Sequence, residues 1–423
     1  MTDAHRAIDA VWRIESARLI AGLARLVRDV DLAEELAGDA LVAALEQWPQ
    51  SGVPDNPGAW LLATAKHRAI DLIRRQATLE RKVQELGRME EREQQITEEQ
   101  LAEAADDPIG DDLLALIFVS CHPVLSTEAR AALTLRLISA LSTEEIARAF
   151  LAPVATVAQR IVRAKRALAE ARVPIELPAR EELPERLASV LEVIYLVFNE
   201  GYAATAGPDW VRPELCDDAL RLGRILAQLL PDEPEVHGLV ALMEIQASRF
   251  GARLGPGSEP ILLLDQDRSR WDGVLIRHGL GSLDRAVRSG RTLGPYTLQA
   301  SIAACHARAR RAADTDWEQI AALYDALAQL APSPVVELNR AVAVGMAFGP
   351  AAGLELVDAL IARGELSGYH LLQSVRGDLL QRLGRVDEAR AELKRAASMT
   401  QNERERDLLL ARAAATDRPI GRH

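Results

Sequence analysis

The hydrophobic pattern between Leu141 and Ala171 predicts two consecutive helices joined by a sharp turn. Ser142 and Glu145 have the spacing of a capping box, so the first helix should begin at Thr143, and Pro153 should end it. Its expected buried positions are Ile146, Ala149 and Phe150. Apolar residues in the second helix recur every three or four positions: Val154, Val157, Ile161, Ala164 and Leu168. This pair of helices has the pattern of a helix-turn-helix.

The polar side of the second helix is positively charged. Between Val154 and Leu168 there are four basic residues and no acidic residue, although the formal net charge of the chain is -12. The side chains on this polar side are Thr156, Gln159, Arg160, Arg163 and Arg166. Because Arg and Gln can read base edges in the major groove and Arg can hold phosphates, these five residues are predicted to bind DNA. The alternative is a solvated basic face on an ordinary helix pair.

The chain up to residue 86 has the periodicity of three amphipathic helices. The first has the inward positions Ile14, Ala17, Ile20, Leu23, Ala24 and Val27. The second begins at Leu32 and has the inward positions Leu36, Ala40, Leu41, Ala44 and Leu45. Trp48 closes it, and a loop rich in Pro and Gly follows. The third spans Ala59 to Gln76 with the apolar positions Trp60, Leu61, Ala65, Ala69, Leu72 and Ile73.

Two of these three helices carry charge of opposite sign. The outward side of the second is acidic, with Asp31, Glu34, Glu35 and Asp39. Such a face is either solvated or docks a basic partner. The polar side of the third is basic, with Lys66, His67, Arg68, Arg74 and Arg75, and Asp71 is the only acid between Ala59 and Gln76. The sequence therefore contains a second cationic helix, which indicates a second contact with DNA.

Composition favours a multidomain, all-α protein. At ~150 residues per domain, 423 residues predict two or three domains. Hydrophobic residues make up 48% and aromatic residues only 4%, which suits helices packed closely on Ala and Leu. The predicted divisions are a first DNA-binding domain (1–86), an acidic linker (87–112), a helix-turn-helix domain (113–173) and a helical extension (174–423).

The extension shows weak internal repetition. Its clearest stretch has the small/large pattern of a tetratricopeptide-like repeat: Leu371, Leu372, Gly384, Glu388, Ala389, Leu393 and Ala396. Gly349 and Leu354 lie 35 residues before Gly384 and Ala389, and Tyr324 and Leu327, after a capping Asp316, begin a possible further copy. The region from Leu183 to Ala415 is predicted to be an array of paired helices with a concave face for a protein partner. Three prolines mark its hinge: Pro174, Pro178 and Pro184.

The remaining features point to a cytosolic protein without a cofactor. Cys121, Cys216 and Cys305 lie far apart and lack CxxC spacing, so we expect buried thiols in a reducing compartment, with neither disulfide nor metal site. Charged residues interrupt any N-terminal apolar run, and no uncharged stretch has membrane-spanning length, so we expect neither a signal peptide nor a membrane contact.

Several of these segments together resemble a known family. The stretches DLAEELAGD from Asp31, WPQSGVPDNPGAWLLATAKHRAIDLIRR from Trp48 and the helix-turn-helix from Leu141 look like the conserved regions of bacterial RNA polymerase sigma factors of the extracytoplasmic-function group. The resemblance covers roughly Ile8 to Val173. Four further segments, the first of which precedes the helix-turn-helix, look like a subgroup with a tetratricopeptide-like extension: CHPVLSTEARAALTLRL, YLVFNEGYAA, LLDQDRSRWD and SPVVELNRAVAV.

The resemblance implies a role for each cluster. The helix from Leu32 to Trp48 would bind core RNA polymerase through the acidic residues Asp31, Glu34, Glu35 and Asp39. Residues for the minus-ten promoter element would be Asn56, Trp60, Lys66, His67, Arg74 and Arg75. The face around Arg160 would read the minus-thirty-five element, and the extension would control activity from within the chain. Two positions depart from the family: Gly38 stands where Gln is frequent, and His67 where Asn is usual.

Two alternative functions share some of these features. A helix-turn-helix regulator with a helical-repeat sensor shares the DNA-binding half, but it needs neither the polymerase-binding helix nor the strand-melting helix. An enzyme could use the run from Asp265 to Asp272, with His278, His306, Asp314 and Asp316 nearby in sequence. We expect the acids and arginines of that run to pair as structural salt bridges, since no catalytic motif accompanies them. The sequence thus predicts a protein that is not an enzyme.

Overall fold

The computed structural model describes residues 3–86, 109–203, 206–207, 210–256 and 259–415. These ranges form helices connected by short turns, with one pair of two-residue strands, which confirms the predicted all-α class. Most of the predicted acidic linker lies outside the described residues. The chain divides by its contacts into two compact units, Met1–Ile194 and Tyr195–His423. None of the described helices combines the length and hydropathy that a bilayer crossing requires.

The first unit contains the helices of both predicted DNA-binding domains. They are α1 (Asp3–Val27), α2 (Val30–Ser51), α3 (Pro57–Leu86), α4 (Ile109–Ser120), α5 (Thr127–Leu137), α6 (Thr143–Ala149) and α7 (Val154–Glu170). Helix α8 (Leu183–Tyr202) begins in the first unit and ends in the second.

Helices α1 to α3 form a bundle whose core is close to the predicted one. Asp29 caps α2 by accepting hydrogen bonds from two backbone N–H groups, so the helix begins at Val30 rather than Leu32. The prediction is wrong for two residues that were expected to face inward: Ile14 is 66% exposed and Leu45 is 37% exposed. At about 100° per residue, Ile14 lies ~120° around α1 from the buried Ile20, and Leu45 lies opposite the buried Leu36.

Helix α6, the first helix of the helix-turn-helix, begins at Thr143 with the capping box that the sequence predicts. Ser142 Oγ accepts a hydrogen bond from the Glu145 backbone N–H (3.1 Å), and Glu145 Oε2 accepts one from the Ser142 N–H (2.7 Å). The predicted stripe of α7 is buried at Val157, Ile161, Ala164 and Leu168. Val154 is 45% exposed, contrary to prediction, because it lies in the first turn of α7, ~60° around the helix from Val157.

Within the first unit, α1 joins the two predicted domains. Its Arg25 pairs with Asp112 of α4 (3.1 Å), and its Arg13 pairs with Glu145 of α6 (3.2 Å). The first turns of α8 pack here as well, since the Ser189 hydroxyl donates to the carbonyl oxygen of Cys121 (2.6 Å). The compact unit therefore continues past the predicted end of the helix-turn-helix domain at residue 173.

The second unit consists of successive helix pairs. Its helices are α9 (Pro213–Leu229), α10 (Pro234–Ala247), α11 (Phe250–Arg253), α12 (Gly273–Arg288), α13 (Pro295–Arg308), α14 (Trp317–Leu330), α15 (Pro334–Ala347), α16 (Pro350–Ala362), α17 (His370–Arg382), α18 (Val386–Met399) and α19 (Glu403–Ala415). Strands β1 (Ala206–Gly207) and β2 (Gln401–Asn402) pair in parallel.

The core of this unit is a series of local clusters. One cluster joins α10, α12 and α13, the next joins α13 to α15, another joins α15 to α18, and the last joins α18 and α19. Gly349 and Gly384 have positive φ angles of 102° and 77° and occupy equivalent turns, before α16 and before α18. From α14 onward each helix thus packs mainly on its neighbours in sequence, whereas α13 packs mainly on α10.

The three cysteines are free and buried, as predicted. Burial raises the pKa of the Cys121 thiol to about 11 and that of Cys216 to about 12. Both thiols are therefore protonated at neutral pH, which suits a role in packing.

Candidate nucleic-acid interface

The outer face of α7 carries the predicted DNA-binding side chains. Thr156, Gln159, Arg163 and Arg166 are exposed, and Arg160 is half-buried. The Arg166 Nε lies 2.6 Å from Glu170 Oε1, and both side chains are mostly exposed. This ion pair is a weak surface contact that a phosphate could replace.

The same face has an apolar residue that charge patterning did not reveal. Val162 is 64% exposed and lies three residues after Gln159 and four before Arg166. Its exposed methyl groups, beside Gln and Arg side chains, are suited to contact the C5-methyl group of thymine. The signal in the sequence is an apolar residue outside the regular stripe of Val157 and Ile161.

The predicted polymerase-binding acids of α2 contact other helices of the first unit. Lys165 Nζ, on α7, lies 2.6 Å from Asp31 Oδ1 and 2.5 Å from Glu34 Oε2. Arg136 Nε, on α5, lies 2.6 Å from Glu34 Oε1. Glu34 is therefore engaged from two sides, and α2 is tied to the helix-turn-helix. Helical periodicity placed these acids on the polar side of α2 but could not identify their partners.

Lys165 is held in its charged form by this contact. Burial alone lowers the pKa of its ammonium group, but hydrogen bonds to Asp31 and Glu34 more than offset that effect and leave the pKa above its ordinary value. Because its side chain points toward α2, Lys165 does not belong to the outer basic face of α7.

A different part of α2 is exposed. Glu35 is exposed, Val42 is 52% exposed and Leu45 is 37% exposed. Asp39 contacts Arg68 of α3, with 3.1 Å between Oδ2 and Nη1. The exposed surface of α2 thus combines an acid with two apolar side chains.

The predicted minus-ten residues lie on α3 and in the turn before it. Asn56 caps α3, because its Oδ1 accepts a hydrogen bond from the Ala59 N–H (3.1 Å). Trp60 is half-buried and packs edge-on against Trp48, with ring centroids 5.3 Å apart. At about 100° per residue, His67 and Arg74 lie on the same side of the helix as Trp60.

The other two basic residues lie to either side of that line. Arg75 is exposed ~60° around the helix from Trp60, whereas Lys66 is half-buried ~120° away in the other direction. The structure therefore places His67, Arg74 and Arg75 along one exposed side, with Lys66 at its margin.

The run from Asp265 to Asp272 does not form the expected salt bridges. In the described part of the chain, no ion pair joins its acids to its arginines. Asp272 instead caps α12 through the backbone N–H groups of Val274 (2.7 Å) and Leu275 (3.1 Å). Arg268 Nη1 donates to the carbonyl oxygens of His306 and Ala309, each at 2.7 Å. These residues cap a helix and join loops, which is a structural role.

Comparison with known proteins identifies three segments. Residues 14–78 match sigma-70 region 2, and residues 115–168 match sigma-70 region 4. Residues 186–287 match a family of unknown function, DUF6596. An uncharacterised protein of Rhizobium meliloti (strain 1021) is 46% identical over 383 residues, which cover 90% of this chain and 89% of that protein.

Proposed function

This chain belongs to the sigma-70 family, and we propose on that premise that it is a promoter-recognition subunit of the extracytoplasmic-function type. It binds core RNA polymerase, contacts the minus-ten element through α3 and reads the minus-thirty-five element through α7. The observation that carries the proposal is the exposed basic face of α7, which follows a capped α6 within the region 4 match.

We propose that α3 holds the minus-ten DNA. His67, Arg74 and Arg75 would contact phosphates along the exposed side of the helix, since cations neutralise the backbone of DNA. Trp60 is half-buried at the start of this exposed side of α3, and from there it would help to hold the minus-ten DNA. Asn56 would act mainly as the helix cap that fixes the preceding loop.

We propose that polymerase first meets the exposed surface of α2, formed by Glu35, Val42 and Leu45. Interfaces commonly centre on apolar side chains with charges around them. Glu34 would become available only when Lys165 and Arg136 release it, whereas Asp31 is 74% exposed and accessible from the start. Binding of core polymerase would then separate α2 from the helix-turn-helix.

The decisive experiment is transcription with purified full-length protein, core RNA polymerase and a library of promoter sequences. We expect transcripts that begin at defined positions only when the protein is present. Sequence-specific DNA binding without initiation would instead identify a helix-turn-helix regulator that is not a sigma subunit.

We also propose that the extension controls activity from within the chain. Its support is its folded core, since a disordered tail would be polar and poor in Leu. Truncation after Ala203 keeps α8 and its contact with Cys121, whereas truncation after Arg172 removes both. We expect the first truncation to change initiation at equal protein concentration. Unaltered initiation and unaltered polymerase affinity would refute control by the extension.

A further inference from the structure

A cavity of about 550 Å³ lies in the second unit between α9, α10 and α12. Its charged and imidazole-bearing lining residues are Arg224, His237, Glu244, Arg277, His278 and Arg285. Three arginines and one glutamate give this lining a formal charge of +2 with neutral histidines, in a chain whose net charge is -12. The cavity is therefore a local positive site in an acidic protein.

Two buried acceptors of the lining lack hydrogen-bond donors. Glu244 is 3% exposed; its Oε1 accepts from Arg224 Nε (3.0 Å) and Nη2 (2.8 Å), while its Oε2 has no partner. His237 Nε2 lies 2.7 Å from the carbonyl oxygen of Pro231 and must donate to it, which leaves Nδ1 as an acceptor without a partner. Since a buried acceptor without a donor is unfavourable, a ligand with hydroxyl or amino groups would be favoured here.

Whereas α10 contributes the unpaired acceptors of the cavity, α12 contributes positively charged donors. Arg285 Nη2 donates to the Ser282 hydroxyl (3.1 Å), and no ion pair joins Arg277 or Arg285 to a carboxylate among the described residues. Guanidinium groups bind phosphate through paired N–H donors. Gly281 lies between these two arginines in sequence, and a Cβ added there would meet no atom within 4 Å. The α12 wall therefore offers cations and open space.

We infer that this cavity binds a small hydroxylated organic phosphate, such as a sugar phosphate. The phosphate contacts Arg285, whose guanidinium lies beside Ser282, while Arg277 adds a second positive charge on the same helix. Ligand hydroxyl groups donate to Glu244 Oε2 and His237 Nδ1. The doubly negative phosphate matches the +2 charge of the lining. The inference concerns binding by the second unit and does not depend on the proposed function.

The test is calorimetric titration of the full-length protein with glucose 6-phosphate, ribose 5-phosphate and glycerol 3-phosphate. We expect saturable binding of at least one, with inorganic phosphate at least tenfold weaker and glucose without measurable binding. Absence of binding for all three organic phosphates would overturn the inference. Inorganic phosphate bound as tightly as the best of them would also overturn it, because the acceptors would then contribute nothing.

Variants locate the binding site. Arg285→Gln removes the cation that contacts the phosphate, and Gly281→Leu fills the open space without changing charge; each should weaken binding at least tenfold. Arg288→Gln is the matched control, since Arg288 lies on the same helix but pairs with Asp284 outside the cavity lining. Circular dichroism and thermal melting establish that the variants fold. Equal affinity in all three variants would place the bound phosphate elsewhere.

Discussion

Arg160 and Arg163 differ in exposure although both lie on the polar side of α7. If each reads a base, replacing it with Ala should weaken promoter binding by ~1 to 3 kcal/mol, because a bidentate contact to a base is lost. Filter binding of the polymerase complex to promoter DNA measures the loss. Arg18→Ala, at an exposed arginine of α1, is the control. Promoter affinity unaffected by both α7 substitutions would assign this face to solvent.

His306 makes the stability of the second unit depend on pH. Burial, with the nearby Arg249 and Arg268, lowers the pKa of His306 to about 4, while the unfolded chain has the ordinary value of 6.5. Between these pH values only the unfolded state binds the proton, so stability decreases as pH falls from 6.5 to 4. The shift corresponds to about 3 kcal/mol.

The measurement is urea unfolding at pH 7 and pH 4.5. The wild-type protein should lose more stability than His306→Gln between these two conditions, because the variant has no imidazole to protonate. Identical losses in the two proteins would show that other groups dominate the acid response.

At the scale of elements, the contact between α2 and α7 joins the two sigma regions. The side chains of Lys165 and Glu34 are 14% and 15% exposed, so their charges are poorly solvated. Replacing Lys165 with Met should destabilise the first unit by ~1 to 3 kcal/mol, because Glu34 loses one of its two cationic partners. Chemical unfolding measures this. The double variant with Glu34→Gln should recover part of the loss; additive effects would mean that the two groups do not interact.

Helix α3 should determine much of the salt dependence of open-complex formation. Each phosphate contact adds ~0.7 to 0.9 to the slope of the logarithm of affinity against the logarithm of salt concentration. Neutralising Lys66, Arg74 and Arg75 together with Gln should therefore lower this slope. Arg75 should contribute more than the half-buried Lys66. A slope that does not change would remove α3 from the DNA interface.

Local sequence rules predicted these elements well and their contacts poorly. The capping box at Ser142 depends on residues three apart, so it could be identified from the sequence. The partner of Glu34 could not, because Lys165 is 131 residues away and periodicity defines only a face. Ile14 and Leu45 were misplaced because a spacing of three or four, repeated along a helix, drifts away from the buried side.

At the scale of the whole molecule, the chain divides into two compact units between Ile194 and Tyr195, within α8. The proline-rich segment after Val173 looked like the natural boundary, but the first turns of α8 pack on the helix-turn-helix side through Ser189 and Arg186. The cavity of the second unit was also beyond sequence analysis, since Arg224, Glu244 and Arg277 come from three helices. The positive charge of its lining becomes apparent only when the helices are packed.

Strands β1 and β2 connect the beginning and the end of the second unit, through Ala206 with Gln401 and Gly207 with Asn402. A linear helical array can fray from its last repeat, because each repeat depends only on its neighbour. Here the segment before α19 is also paired with the segment before α9, so opening at either end of the unit should break the same pairing. Amide hydrogen exchange should therefore show α9 and α19 opening together at a similar rate, as in a closed ring, rather than a gradient of protection along the array.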